Sequence, residues 1–284
     1  MSKLADTYLK GYFIKPSSLA SNGEIFFSDG TNSNIRANQE QCEAYGYIYD
    51  RETGTCSAYN RSVNLEQGLI NENNSIRGAG NSVETGTKNT YIMGENNTVK
   101  GDSRNNIIVG SDNLITRTIN SAIVYGHLGE ATATNSIVLG GNASGDNLGK
   151  RQSIQLMFGI QTTNGTNTTS FLNNTTDSYF PIPTDTIMYF HADVVAVRIA
   201  GSGAGSAGDY KSWVERGVVI NKSGTVTANR ERDTIKSSGT TTNWQPTGIA
   251  TGTNFAMRVR GATDVTIEWC SNITFTQIKP TGAL

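Results

Sequence analysis

Asn89-Thr90-Tyr91-Ile92-Met93-Gly94 and Asn105-Asn106-Ile107-Ile108-Val109-Gly110 open alike, close alike and lie sixteen residues apart. Around them asparagine recurs every eight residues, at Asn73, Asn81, Asn89, Asn97, Asn105 and Asn113. A glycine follows at a fixed offset at Gly78, Gly86, Gly94 and Gly110, with Gly101 one place early. An eight-residue unit is too short for a helical repeat. It suits a short strand and a tight turn, stacked on its neighbours as a β-solenoid. Two residues after each asparagine the side chain is usually apolar (Val83, Tyr91, Val99, Ile107, Ile115). Three residues after it, an apolar residue appears only in alternate units (Ile76, Ile92, Ile108). The period is therefore sixteen, with two unequal strands per coil. Glycine and asparagine tolerate the left-handed backbone of tight corners, and stacked asparagines can ladder hydrogen bonds between coils. Asn81, Gly86, Asn89, Gly94, Asn97, Asn105, Gly110 and Asn113 are the expected repeat-defining residues.

The unit returns, with altered spacing, as Asn120-Ser121-Ala122-Ile123-Val124-Tyr125-Gly126 and Asn135-Ser136-Ile137-Val138-Leu139-Gly140. Units that open with Asn-Ser, run apolar and close with Gly resemble the head repeats of trimeric autotransporter adhesins. That resemblance covers about residues 71–145 and implies a left-handed parallel β-roll in a three-chain assembly, a roll that phage fibre proteins also use. The chain departs from the adhesin pattern in having few alanines and a coil nearer sixteen than fourteen residues.

With 36% hydrophobic residues in 284, the chain has little apolar material for one large monomeric core. Gly, Asn, Thr and Ser supply the difference, which fits turn-rich β-structure completed by neighbouring chains. A net charge of −1 marks no nucleic-acid or membrane surface. Arg216, Lys222, Arg230, Arg232 and Lys236 are interleaved with Glu215, Glu231 and Asp233 and read as a solvated surface. No stretch approaches the roughly 20 apolar residues of a spanning helix. Met1–Leu9 has no apolar signal core, so the expectation is a product made in a host cytoplasm, without membrane insertion. Of three cysteines, Cys42 and Cys56 bracket a segment with a turn near Asp50–Gly54. Reduced thiols are the default there, with a bridge as the alternative; a zinc site lacks nearby partners, His127 and His191 being distant.

The expected organisation is all-β. Residues 1–70 are an irregular, aromatic-rich segment that anchors to a virion, and 71–149 are the roll. Residues 150–185 are a strand, with Ile154, Leu156, Phe158 and Ile160 on one face, followed by a Thr/Asn-rich linker. Residues 186–284 are a separate antiparallel β-sandwich or jelly roll. Ile187–Ile199 reads as a central strand and Asn221–Gly224 as a hairpin turn. The last strand sets Val265, Ile267, Trp269, Ile273 and Phe275 on one face. The run Tyr189–Arg198, the Gly201–Gly208 loop and the closing Ile267-Glu268-Trp269 resemble a β-sandwich common near the C-termini of tailed-phage fibre proteins. This second resemblance implies a virion appendage.

No motif frames a catalytic nucleophile. Glycan cleavage needs two carboxylates across a groove, and Asp193, Glu215, Glu231, Asp233, Asp264 and Glu268 are scattered in sequence. His191 reads as a packed histidine. Gly201–Gly208 lacks the Lys-Ser/Thr and following helix of a phosphate loop and reads as a flexible surface loop. The chain is accordingly expected to be no enzyme, with no cofactor and no metal. The expected function is that of an intertwined homotrimeric fibre of a tailed phage, bound to other virion proteins through residues 1–70 and to a host-surface glycan or protein through its loops. Candidate ligand contacts are Gly201, Ser202, Asp209, Tyr210, Asn243 and Trp244, the last as a sugar-stacking ring or a core residue. A purely structural head-fibre, collar or adaptor part and a glycan-cleaving tailspike are the alternatives.

Overall fold

The computed structural model describes residues 8–9, 12–58, 73–282 and 284; parts of the expected anchoring segment lie outside these. The chain divides into two units, Met1–Asn71 and Glu72–Leu284.

The first unit is built from short pieces: β1 (Tyr8–Leu9) and β2 (Tyr12–Phe13), β3 (Lys15–Leu19) and β4 (Ile25–Ser28), helix α1 (Gln39–Ala44), then β5 (Ile48–Asp50) and β6 (Thr55–Ser57). Each strand pair is antiparallel. The helix starts on a capping box: Gln41 N donates to Asn38 Oδ1 at 2.9 Å and Asn38 N to Gln41 Oε1 at 3.0 Å. A small core of Ile14, Ile25, Phe27, Ala37, Cys42 and Cys56 lies beneath the rings of Tyr45 and Tyr47. Cys42 and Cys56 form a disulfide, which corrects the expectation of reduced thiols. The described part of the segment is not irregular either. Its elements are too short to show a period, and a cross-link replaces the core that length would otherwise supply.

In the second unit the repeat forms a parallel β-solenoid. One sheet stacks β7 (Ser75–Arg77), β9 (Tyr91–Glu95), β11 (Ile107–Ser111), β13 (Ile123–His127) and β15 (Ile137–Gly141). The other stacks β8 (Ser82–Val83), β10 (Thr98–Val99), β12 (Leu114–Ile115) and β14 (Glu130–Ala131). Register advances by sixteen, Ile92 beside Ile108 beside Val124, then by fourteen to Val138. Ile92, Ile108, Val124 and Val138 point inward against Val83, Val99, Ile115 and Ala131. Tyr91 and Ile107, two places after their asparagines, lie on the outward face.

Two asparagine columns run between coils. The inner one is buried: the Nδ2 atoms of Asn97 and Asn113 each donate to the preceding asparagine's Oδ1 at 3.0 Å. They also donate to the carbonyls of Gly110 and Gly126 at 2.8 and 2.9 Å. The outer column, Asn73, Asn89 and Asn105, takes positive φ at the corners, with Asn89 Nδ2 donating to Asn105 Oδ1 at 3.1 Å.

The remaining strands are antiparallel: β16 (Arg151–Thr162), β17 (Asn167–Leu172), β18 (Phe180–Pro181), β19 (Thr186–Ala200), β20 (Tyr210–Lys222), β21 (Thr225–Ser237), β22 (Gln245–Thr251), β23 (Asn254–Arg260) and β24 (Thr266–Ile278). β16 pairs with the last roll strand, β15, on one side and with β24 on the other. The roll sheet therefore continues as β16-β24-β19-β20-β21. The expected linker thus carries two strands, β17 and β18, and residues 186–284 share one unit with the roll. Thr and Asn hid β17 because its partner β23 supplies the apolar side chains. Strand β23 carries β22 on one flank and β17 and β18 on the other. Its Phe255 packs on Phe158, Phe190 and Phe275, with ring centroids 5.0–6.1 Å apart.

Candidate functional site: the loop end of the antiparallel strands

Register brings four connections to one end. Thr162 at the end of β16 and Arg198 near the end of β19 both pair with Ile267 at the start of β24. Lys211 pairs with Ser237, and Arg260 pairs with both Asn167 and Gln245. The turns 163–166, 201–209, 238–244 and 261–265 therefore emerge together.

Three tryptophans plug the core beneath them. Trp269 stacks on Trp213 at 5.7 Å and lies 6.3 Å from Trp244, and its indole N–H donates to Thr162 Oγ1 at 2.9 Å. Trp244 is 1% exposed, so its ring is core and not a sugar platform. Lys211 Nζ lies over the Trp213 ring and donates to the Thr241 and Trp244 carbonyls, and burial lowers its pKa.

The Gly-rich loop is clamped, not flexible. Arg198, 5% exposed, donates to the carbonyls of Ala204 at 2.7 Å, Gly201 at 2.7 Å and Gly203 at 3.0 Å. Gly203 N donates to Asp264 O at 2.8 Å. A Cβ at Gly203 would stand 2.5 Å from the Thr263 carbonyl, so this glycine is required for close approach. Asp209 holds the loop from inside, its Oδ2 accepting from Ser206 N at 2.8 Å and Thr240 N at 3.4 Å. Tyr210 and Ser238 exchange hydrogen bonds, N–H to Oγ at 3.1 Å and N–H to C=O at 2.9 Å. Of the expected contacts, Gly201, Ser202, Asp209 and Tyr210 sit on this clamped loop and the start of β20. Asn243 lines a different feature, a recess of about 360 Å³ walled also by Asn164, Thr166, Arg260 and Thr263. Arg260 Nε donates to Gly165 O at 3.1 Å, which fixes the turn at the rim. Arg198 left one signal in the sequence: it occupies an inward phase, after Ala192, Val194 and Ala196, just before the glycines. Nothing in the sequence marked Asn164 or Thr166, which register alone brings across.

Two titratable clusters lie elsewhere. Glu215 is fully buried rather than solvated. Its Oε1 accepts from Gly248 N at 2.6 Å and lies 3.4 Å from Arg230 Nε, while Oε2 has no partner. Burial raises its pKa against the pull of that hydrogen bond and of Arg230 and Arg232. In the roll, Ser111 Oγ lies 2.8 Å and Asp112 Oδ2 3.3 Å from the same ring nitrogen, Nδ1 of His127. A Ser-His-Asp relay needs them on opposite nitrogens, so this cluster is no triad. His191 is not packed; it lies on the outward sheet face, 3.3 Å from Asp193. Among the described residues no cluster is suited to hold a metal ion, and no helix is long and apolar enough to cross a membrane.

No protein-family description matches the chain, and no curated protein does. Solved structures similar to it include the tailspike protein of Acinetobacter baumannii phage AM24 (TM-score 0.27, 11% identity, 74% of this chain and 50% of that one). Others are the tailspike of Acinetobacter phage vB_ApiP_P1 (TM-score 0.21, 10% identity, 74% and 54%) and gp49 of Acinetobacter baumannii bacteriophage Fri1 (TM-score 0.23, 8% identity, 71% and 46%). The chain spans about half the length of these tailspikes. Likeness at this level assigns no residue a role. The Fri1 protein is itself described as a capsular polysaccharide depolymerase, and the expectation that this chain is no enzyme is withdrawn. A missing motif is a poor ground for that expectation: carboxylates that folding brings together from separate strands leave no local signature.

Proposed function

We propose that the chain is part of a tailed-phage virion appendage that engages a host-surface polysaccharide at the loop end. The observation that carries this reading is the recess of about 360 Å³ between the turns. Its walls offer amides, hydroxyls and one guanidinium, a mixture suited to a hydroxyl-rich ligand. The loop-end turns are held by Arg198, Asp209 and Arg260, so the groups are pre-positioned. The sequence resemblances support the virion setting. Within this reading the antiparallel strands close as a sandwich in each of three chains, the roll forms a shared stalk, and the first unit joins the particle. Three copies side by side multiply a modest affinity per site.

The test is labelling of host cells by purified full-length protein, with reducing ends measured in the same incubation so that binding and cleavage are read together. Asn243→Ala combined with Thr166→Ala should lower labelling at least tenfold while leaving the melting temperature unchanged. Labelling that ignores both substitutions removes this recess as the binding site, and a wild-type protein that never labels cells points instead to a purely structural part.

A further inference from the structure

A second recess lies on the outward face of the sheet, away from the loop end. It measures about 370 Å³ and is walled by Tyr189, Arg216, Val218, Asn229 and Glu231 from β19, β20 and β21. Register explains the grouping: Tyr189 pairs with Val218 and Val218 with Asn229, while Arg216 pairs with Glu231. All five alternate onto the same face. The floor is the backbone of Gly217 and Arg230. Gly217 makes this floor possible, since a Cβ there would run into the Asn229 carbonyl of β21 and force the two strands apart.

The chemistry of the walls selects a ligand class. Tyr189 is 44% exposed, an aromatic ring held on a rigid strand. Arg216 Nη2 lies 3.0 Å from Asp233 Oδ2, an exposed ion pair that sets a carboxylate against its positive charge. Glu231 and Asn229 have no side-chain partner among the described residues. The guanidinium of Arg230 turns the other way, to Glu215. The recess thus combines a stacking ring, donors and acceptors with no surplus of positive charge. We propose that it is a second carbohydrate subsite, which takes an uncharged hexopyranose unit of a polysaccharide. The ring of Tyr189 covers the apolar face of the sugar, while Glu231 and Asn229 bind its hydroxyls. An acidic sugar is disfavoured because the unpaired carboxylate of Glu231 repels it. This inference rests on the polysaccharide reading above and adds a site that the loop end does not contain.

The experiment is an array of immobilised oligosaccharides, neutral hexose probes beside uronate-bearing ones, read with the full-length protein and its variants. Neutral probes should bind. Tyr189→Ala and Glu231→Gln should each weaken that binding at least tenfold with unchanged melting temperature, and Tyr189→Phe should restore it. Binding confined to uronate probes, binding indifferent to Tyr189→Ala, or no binding to any neutral probe overturns the proposal. Host-cell labelling separates the two failures. If cells are still labelled and Asn243→Ala with Thr166→Ala abolishes it, only the outward-face site falls. If cells are never labelled, the polysaccharide reading falls with it.

Discussion

Single atoms decide whether the coils can stack. Gly94, Gly110 and Gly126 hold positive φ, and a Cβ on any of them would strike the carbonyl of the equivalent glycine in the next coil. Backbone strain and steric overlap then act together, so Gly110→Val should destabilise each chain by upward of about 2 kcal/mol. Gly282→Val, which meets open space at ordinary φ, should leave the thermal melt unchanged. Gly203 is not such a silent position, because its missing side chain admits the Thr263 carbonyl. A second single-residue effect is electrostatic. The folded state holds the Glu215 proton more tightly than the unfolded chain does. Its stabilising contribution is complete below the unfolded value near 4.5 and is lost as pH rises through the raised folded value. Glu215→Gln keeps the Gly248 contact and removes the titration. Melts from about pH 4 to about pH 8 should therefore show the wild type losing ground to Glu215→Gln as pH rises. A gap that stays constant would mean that Glu215 titrates as an ordinary carboxylate.

Among the elements, the first unit depends on its cross-link. Among the described residues its core has six buried apolar residues, and the Cys42–Cys56 bridge ties α1 to β6 across fourteen positions. Closing a loop of that size restricts the unfolded chain by about 3 kcal/mol in the chain-entropy model. Cys42→Ser with Cys56→Ser, or reduction by dithiothreitol, should expose residues 12–58 to proteolysis while residues 73–282 stay resistant. Equal resistance before and after reduction would show that the bridge is dispensable. This unit was also the least legible in the sequence, since two- to five-residue strands carry no period and a bridge cannot be read from two cysteines. The roll was legible because identical coils repeat the same inward and outward choice, as at Ile92 and Ile108. Strand β24 was legible through alternation, β19 as a run apolar on both faces, and β20 with the first part of β21 through the turn at Ser223-Gly224, where both residues take positive φ. The loop-end recess was not: Asn164 and Asn243 meet only because β16, β17, β22 and β23 pair in one register. Burial of Glu215 was equally hidden, since its neighbours in sequence, Val214 and Arg216, face the other way.

At the scale of the molecule, the roll leaves an apolar surface uncovered. Met93, Tyr125, Ile137 and Leu139 are 42–57% exposed and stack in neighbouring coils on one outward face. Contiguous apolar surface of this kind on a rigid sheet marks an association site. The inner column of each coil is thin, one Ile or Val against one Val, Ile or Ala, with Ile119, Ala122 and Ala133 added only in the later coils, so a single roll has little core of its own. Both features are met if three chains pack these faces together, as the repeat resemblance implies. The purified protein should then have the mass of three chains. Tyr125→Asp with Leu139→Asp should break the assembly, because each places a charge in an interface without a partner. The same pair should lower the melting temperature of the roll far more than Glu84→Gln, which weakens the ion pairs to Lys100 and Arg117 and the hydrogen bond from Gly101 N. A wild-type chain that is folded and monomeric at micromolar concentration would sink the three-chain architecture. On the proposed virion reading, the outward apolar face would then have to be covered by a different protein of the particle, and co-purification from virions, rather than self-assembly, would become the measurement that identifies it.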